Sequence, residues 1–278
     1  MKILELDLYT NSLDATRLFY VRRLGLPMLS HSANHLTVLI GWTHLTFRLV
    51  DQPVAPYHFA VNVPRGSLEV VMYYYDLDYL PTRLPEVDAP GPDAPETTIA
   101  NLSFWRAKAC YFYDNTGNLL EFIARTDLPL DNPNLTFPDL FQGVSEIGIA
   151  TEDVAHTTEQ INQQFGVEQF TKMKPIADFN ALGDENGLFI VSKVGRNWLF
   201  TNTPAGLNYC RVRFVNGQGA NDSANVQELY SYEVNRLPIG KGASVACPNK
   251  VCTTCTSQQK ATPLTPEQSQ LSTHSVVE

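Results

Sequence analysis

The sequence predicts an α+β fold: paired βαβββ modules forming a curved mixed, mostly antiparallel sheet with helices on its outer face. Three observations predict it. Segments near 3–10, 44–49, 58–63 and 119–125 alternate apolar and polar residues with a period of two, as half-buried strands do. Helical stretches follow the strands that open each unit. A block in the second half of the chain also repeats the opening block without a gap: Glu146-Ile147-Gly148-Ile149-Ala150-Thr151 stands where Glu5-Leu6-Asp7-Leu8-Tyr9-Thr10 stood.

In the first unit, 1–50, Leu4, Leu6 and Leu8 oppose Glu5, Asp7 and Tyr9. Ser12 can cap the helix that follows, with Asp14 in its first turn; Gly25 and then Pro27 stop it. Strands are expected at 28–32, 35–41 and 44–50. The second unit, 57–125, opens on Tyr57 to Val63 and continues with a helix through Tyr79. A Pro-rich stretch, 81–98, is either a lid or a surface loop. Strands at 107–113 and 119–125 then form a hairpin around Asp114-Asn115-Thr116-Gly117. Residues 1–126 thus read as one domain and 127–142 as a linker.

The third unit, 143–214, continues the repeat: Val154 stands for Leu13, Thr157 for Thr16 and Gly166 for Gly25. Its further strands are expected near 168–174, 187–194 and 197–203. Without an evident complete partner, it docks on the first domain or pairs across a homodimer. Residues 215–278 have few large apolar side chains and read as mostly disordered. Cys247, Cys252 and Cys255 lie there, one thiol short of a structural zinc set.

The chain has 278 residues and a net charge of -9, which argues against a nucleic-acid partner. No apolar run reaches the roughly 18 residues that a membrane span needs. Acidic residues interrupt the apolar run at the start, so no signal peptide is expected and the chain reads as cytoplasmic. Five irregularly spaced cysteines do not make a disulfide framework.

Four strands carry a polar face opposite an apolar one. Those faces present Glu5, Asp7 and Tyr9; His44, Thr46 and Arg48; His58 and Asn62; and Glu121 and Arg125. If the sheet curls, they line a cavity. Burying so many polar groups is costly unless they pair, meet water or bind an ion. Such a cavity suits a small-molecule substrate or ligand, with Tyr9, His44, Thr46, Arg48, Asn62 and Arg125 as candidate contacts.

The run from Glu5 through Phe19-Tyr20 to Leu24-Gly25-Leu26-Pro27, with Gly117-Asn118-Leu119-Leu120-Glu121-Phe122, resembles the opening and closing strands of a vicinal oxygen chelate domain. That superfamily includes glyoxalase I, extradiol dioxygenases and bleomycin-resistance proteins. The resemblance implies metal ligands at Glu5, His58 and Glu121. Glu5 departs from it, since metal-dependent members usually carry histidine there. Two carboxylates and an imidazole suit iron(II), manganese or magnesium more than zinc. Glu121 or Asp7 would then move a proton. The implied activity is that of a metal-dependent lyase, isomerase or dioxygenase acting on a small oxygen-rich molecule. The alternative is a metal-free protein that binds and sequesters a small molecule.

Overall fold

The computed structural model describes residues 1–82, 97–128, 140–217 and 225–235. The first module contains β1 (Lys2–Thr10), α1 (Leu13–Arg17, continued by a π-helical turn Leu18–Arg23), β2 (Met28–His31), β3 (His35–Ile40) and β4 (Thr43–Leu49). The second contains β5 (His58–Val63), α2 (Leu68–Tyr75), β6 (Ala100–Leu102), β7 (Ala107–Tyr113) and β8 (Leu119–Arg125), with a 3-10 turn at Ser103–Trp105. The third contains β9 (Gly143–Thr151), α3 (Val154–Phe165), β10 (Phe179–Asp184) and β11 (Gly187–Lys193). Last come β12 (Cys210–Val215), β13 (Val226–Tyr230) and α4 (Ser231–Val234).

These strands form two curled mixed sheets, ordered β13-β12-β1-β4-β3-β2 and β10-β11-β9-β5-β8-β7-β6. The α+β architecture of paired modules is the expected one, but the pairing differs. Modules 1–50 and 57–125 do not share a sheet. The first joins β12–β13, and the second joins the third through the antiparallel β5–β9 pair. Alternation shows which face of a strand is buried, not which strand lies beside it.

The local chemistry explains the elements. Ser12 caps α1 by accepting from the Ala15 N–H at 3.2 Å. Asp153 does the same for α3 through His156 at 3.0 Å. Each preceding strand ends on a threonine whose hydroxyl meets one in the helix: Thr10 with Thr16 at 3.0 Å, and Thr151 with Thr157 at 2.8 Å. Gly25 and Gly166 leave these helices at φ +66° and +62°, a region costly for any residue with a Cβ. In β1 a bulge between Ile3 and Glu5 shifts the register, so Ile3 rather than Leu4 enters the core.

One apolar core joins faces of both sheets to the helices, with Leu6, Leu8 and Phe47 meeting Phe59, Phe122, Ile147 and Ile161. Each such side chain, fully buried, contributes roughly 1.5–3 kcal/mol. A second cluster lines the other face of the β9–β5–β8 sheet. It includes Ala60, Ala109, Ile123, Phe170 and Ile190, closed over by Trp105 and Trp198.

Other expectations are corrected. Residues 168–174 form no strand beyond a bridge from Gln169 to Leu182, and 197–203 form a turn bridged at Asn197 and Pro204. Beside β9, β11 pairs instead with β10, whose Asn180 and Gly183 weaken any strand signal. Part of the expected disordered tail is ordered, since β12 and β13 pair antiparallel from Arg211–Tyr230 to Val215–Val226. The third module docks on the first domain, one of the two arrangements expected for it, where β9 pairs with β5. Most of the candidate lid, most of the linker and the cysteines Cys247, Cys252 and Cys255 lie outside the described residues. No described helix is long and apolar enough to cross a membrane.

Candidate metal centre

Three adjacent strands bring His58, Glu121 and Glu146 together. Ala60 on the central strand β5 is paired on one side with Glu121 of β8 and on the other with Glu146 of β9. His58 lies two residues from Ala60, so strand periodicity puts it on the same face. One ligand atom from each of the three lies within 4.8 Å of the others. His58 Nε2 is 3.8 Å from Glu121 Oε2.

The surroundings orient these donors. His58 Nδ1 lies 3.2 Å from the carbonyl oxygen of Leu119, which assigns the ring proton to Nδ1 and leaves the Nε2 lone pair toward the carboxylates. Trp198 packs on the imidazole with centroids 4.9 Å apart. Gly148 makes room for that indole: a Cβ there would sit 2.7 Å from Trp198 Cη2. Glu146 forms an ion pair with Arg125, whose Nε donates to Asn62 Oδ1 at 3.3 Å and whose guanidinium lies over Trp105.

All of this is dry. His58 is 7% exposed, Glu121 and Glu146 2% each, and Arg125 1%. Burial lowers the His58 pKa from its ordinary 6.5 to about 4, so the ring is neutral near pH 7. Burial raises the Glu121 carboxyl well above its usual range, and the neighbouring Glu146 charge adds to it; Arg125 and the Tyr111 hydroxyl oppose the rise less strongly. Burial also raises Glu146, against the pull of Arg125. Two carboxylates thus share one guanidinium, and Glu121 Oε1 is buried without a hydrogen-bond partner. A neutral imidazole nitrogen, two carboxyl groups and an oxygen without a partner are a set that could hold a divalent cation.

The centre forms part of the wall of a cavity of about 230 Å³, which is otherwise mostly apolar and aromatic. Tyr111 and Arg196 add polar groups. Tyr111 is the cross-strand neighbour of Glu121.

Of the residues singled out from sequence, His58 and Glu121 meet here, with Arg125 and Asn62 behind them. Asn62 Nδ2 donates to the Glu185 carbonyl at 2.9 Å. Glu5 is not among them. It lies on β1 in the other sheet, ion-paired to Arg213 and to Arg211, the latter at 3.3 Å. Asp7 accepts from Arg48 at 2.7 Å and lies 3.3 Å from Arg211. Tyr9 stacks on Tyr209 at 4.4 Å, Thr46 bonds Thr37 at 2.9 Å, and His44 is exposed. All of these, Arg48 included, belong to the first sheet and do not join the centre.

Glu146 is the residue that the sequence reading passed over. Its signal was present: the ungapped repeat sets it in the place of Glu5. Trp105, Trp198, Tyr111 and Arg196 left no comparable signal, because loop and cross-strand contacts bring them in.

No protein-family model matches the chain, and no curated protein sequence matches it. Solved structures do. A candidate dioxygenase from Bacillus subtilis subsp. subtilis str. 168 superposes with a TM-score of 0.50 at 19% identity, over 75% of this chain and 66% of that one. The chain therefore spans just under two thirds of that protein. Glyoxalase I from Zea mays gives a TM-score of 0.42 at 15% identity, over 69% of this chain and 66% of that one. A lactoylglutathione lyase from Agrobacterium tumefaciens gives 0.33 at 17%, over 44% and 92%. With its βαβββ-type modules and curled mixed sheets, the chain has the vicinal oxygen chelate fold.

Proposed function

We propose that this protein is a metal-dependent enzyme of lyase, isomerase or dioxygenase type, acting on a small oxygen-rich molecule, with His58, Glu121 and Glu146 holding a divalent cation. One observation carries the reading: three donor atoms within 4.8 Å of one another, on a buried wall where one carboxylate oxygen has no partner. A cation held there would supply Lewis-acid polarisation to a substrate oxygen. The chain's own residues do the rest. Leu119 fixes the imidazole, Arg125 holds Glu146, and Trp105 and Trp198 exclude water. Glu121 is the carboxylate placed to take a proton from the substrate and return it, and the Tyr111 hydroxyl beside it favours its charged form. Asp7, engaged with arginines on the other sheet, has no part in this.

Calorimetric titration with manganese(II) tests the reading. Wild type should bind one ion per chain, and Glu121→Gln or Glu146→Gln should weaken binding by at least about tenfold. Glu5→Gln should bind as wild type does. Wild-type binding no tighter than about millimolar, or equal binding by wild type and Glu121→Gln, overturns the reading. The Arg125–Glu146 ion pair, which already neutralises one carboxylate, favours a second reading in that event: a metal-free small-molecule binding protein.

A further inference from the structure

The cavity has a buried polar wall and an exposed apolar rim. Phe104, Ile176 and Leu199 all line it, yet are 56%, 52% and 42% exposed. They come from three separate segments: the 3-10 turn, the loop before β10 and the loop after β11. A lone exposed apolar side chain is ordinary on a protein surface, but three gathered on the rim of one cavity mark a place where something apolar sits. The wall between rim and donors is apolar as well, with Leu102, Met173 and Ile190. Among the described residues, the one cationic side chain in the lining, Arg196, lies with Nε 3.3 Å from Asp178 and its guanidinium over Phe179. At about 230 Å³ the cavity is smaller than most ligand pockets, so any group beyond a single ring must extend across the rim.

We infer that the ligand is amphipathic: an oxygen-bearing head at the donors, and at the other end an uncharged apolar substituent that passes out over Phe104, Ile176 and Leu199. The oxygen-bearing head rests on the metal reading above; the substituent does not. A charged conjugate of the same length is disfavoured, because an ionic tail gains nothing from an apolar rim and Arg196 is already paired with Asp178.

Full-length protein is titrated with 4-methyl-, 4-butyl- and 4-hexylcatechol, with and without manganese(II), following tryptophan fluorescence. Trp105 and Trp198 line the cavity, whereas Trp42 stacks with Lys2 elsewhere. Affinity should rise about threefold per added methylene, in both metal states. 4-(3,4-Dihydroxyphenyl)butanoate, with a carboxylate on its chain, should bind more weakly than 4-butylcatechol. Phe104→Ser, at an exposed position, should flatten the chain-length series, with a larger loss of affinity for 4-hexylcatechol than for 4-methylcatechol. A flat wild-type series, no quenching by any probe, tighter binding of the butanoate, or a series unchanged by Phe104→Ser overturns the inference. If manganese(II) alters no affinity while the series persists, the metal reading fails and this one stands. If manganese(II) tightens every probe but the series is flat, the reverse holds.

Discussion

Glu5 and Glu146 occupy the same place in the same repeated module, and their fates differ. Glu5 faces Arg213 across the β1–β12 pair, and Asp7 faces Arg211 one period on. With Arg48 and Glu228 they form a network of three acids and three arginines, in which the Arg48 and Arg213 side chains are 50% and 37% exposed. Glu146 faces Ala60 across β5–β9, beside Glu121 and His58, nearly out of reach of water. The module supplies a carboxylate in both sheets. The neighbouring strand decides whether that carboxylate is neutralised by partly exposed arginines or sits in the interior, paired with one buried arginine beside a second carboxylate.

Removing one arginine from each sheet should break this comparison most visibly. Arg125→Met leaves Glu146 buried without its counter-charge and should destabilise the fold by about 3–5 kcal/mol. Arg213→Met removes a partly exposed partner of Glu5 and should cost less than about 1 kcal/mol after solvent screening. Urea denaturation of both variants measures the difference, and equal losses would mean that the two carboxylates sit in equivalent surroundings.

A smaller effect is expected at Gly148. Gly148→Ala forces Trp198 away from His58 and should cost about 1–3 kcal/mol, with a shift in tryptophan emission. The corresponding place in the first module is held by Asp7, a side chain far larger than the glycine. Unchanged emission in the alanine variant would show that Trp198 does not rest on that strand.

The smallest effect is a titration. In metal-free protein the His58 ring should take up its proton at about pH 4, as followed by NMR, because burial favours the neutral form. The unfolded chain takes that proton near 6.5, so acidification through this window favours unfolding as far as this group is concerned. A midpoint near 6.5 in the folded protein would mean that water reaches the cavity wall freely.

Much of this was legible from residues alone. Alternation located β1, β4, β5 and β8 and put His58 and Glu121 on polar faces. Ser12, Gly25 and the repeat marked the helix boundaries in two modules. The repeat also held the third donor, since aligning Glu146 with a candidate ligand at Glu5 nominates Glu146 equally. What could not be read was which modules share a sheet. That depends on facing surfaces far apart in sequence, and a swap of partners leaves every period-two pattern unchanged. For the same reason Glu5, chemically a competent donor, gave no sign that Arg211 and Arg213 would reach it from more than 200 residues away. The β12–β13 pair was hidden by the shortness of Val226–Tyr230 and by the polar segment around it.

The strand order also sets a schedule for folding. The sheet that carries the candidate centre is built from one continuous stretch, residues 58–193, apart from connections that leave and return within it. The other sheet is assembled from the two flanks, with β1 waiting for β12. During synthesis the sheet of β5–β11 can therefore pair its strands while β1 still lacks β12, and the final event is the long loop closure that brings 210–215 back to 2–8. That event carries Tyr209 to the Tyr57 hydroxyl, which donates to its carbonyl at 2.5 Å, and stacks it on Tyr9. The Tyr9–Tyr209 stack is thus a natural marker for the last step of folding, one that the strands of His58, Glu121 and Glu146 need not await.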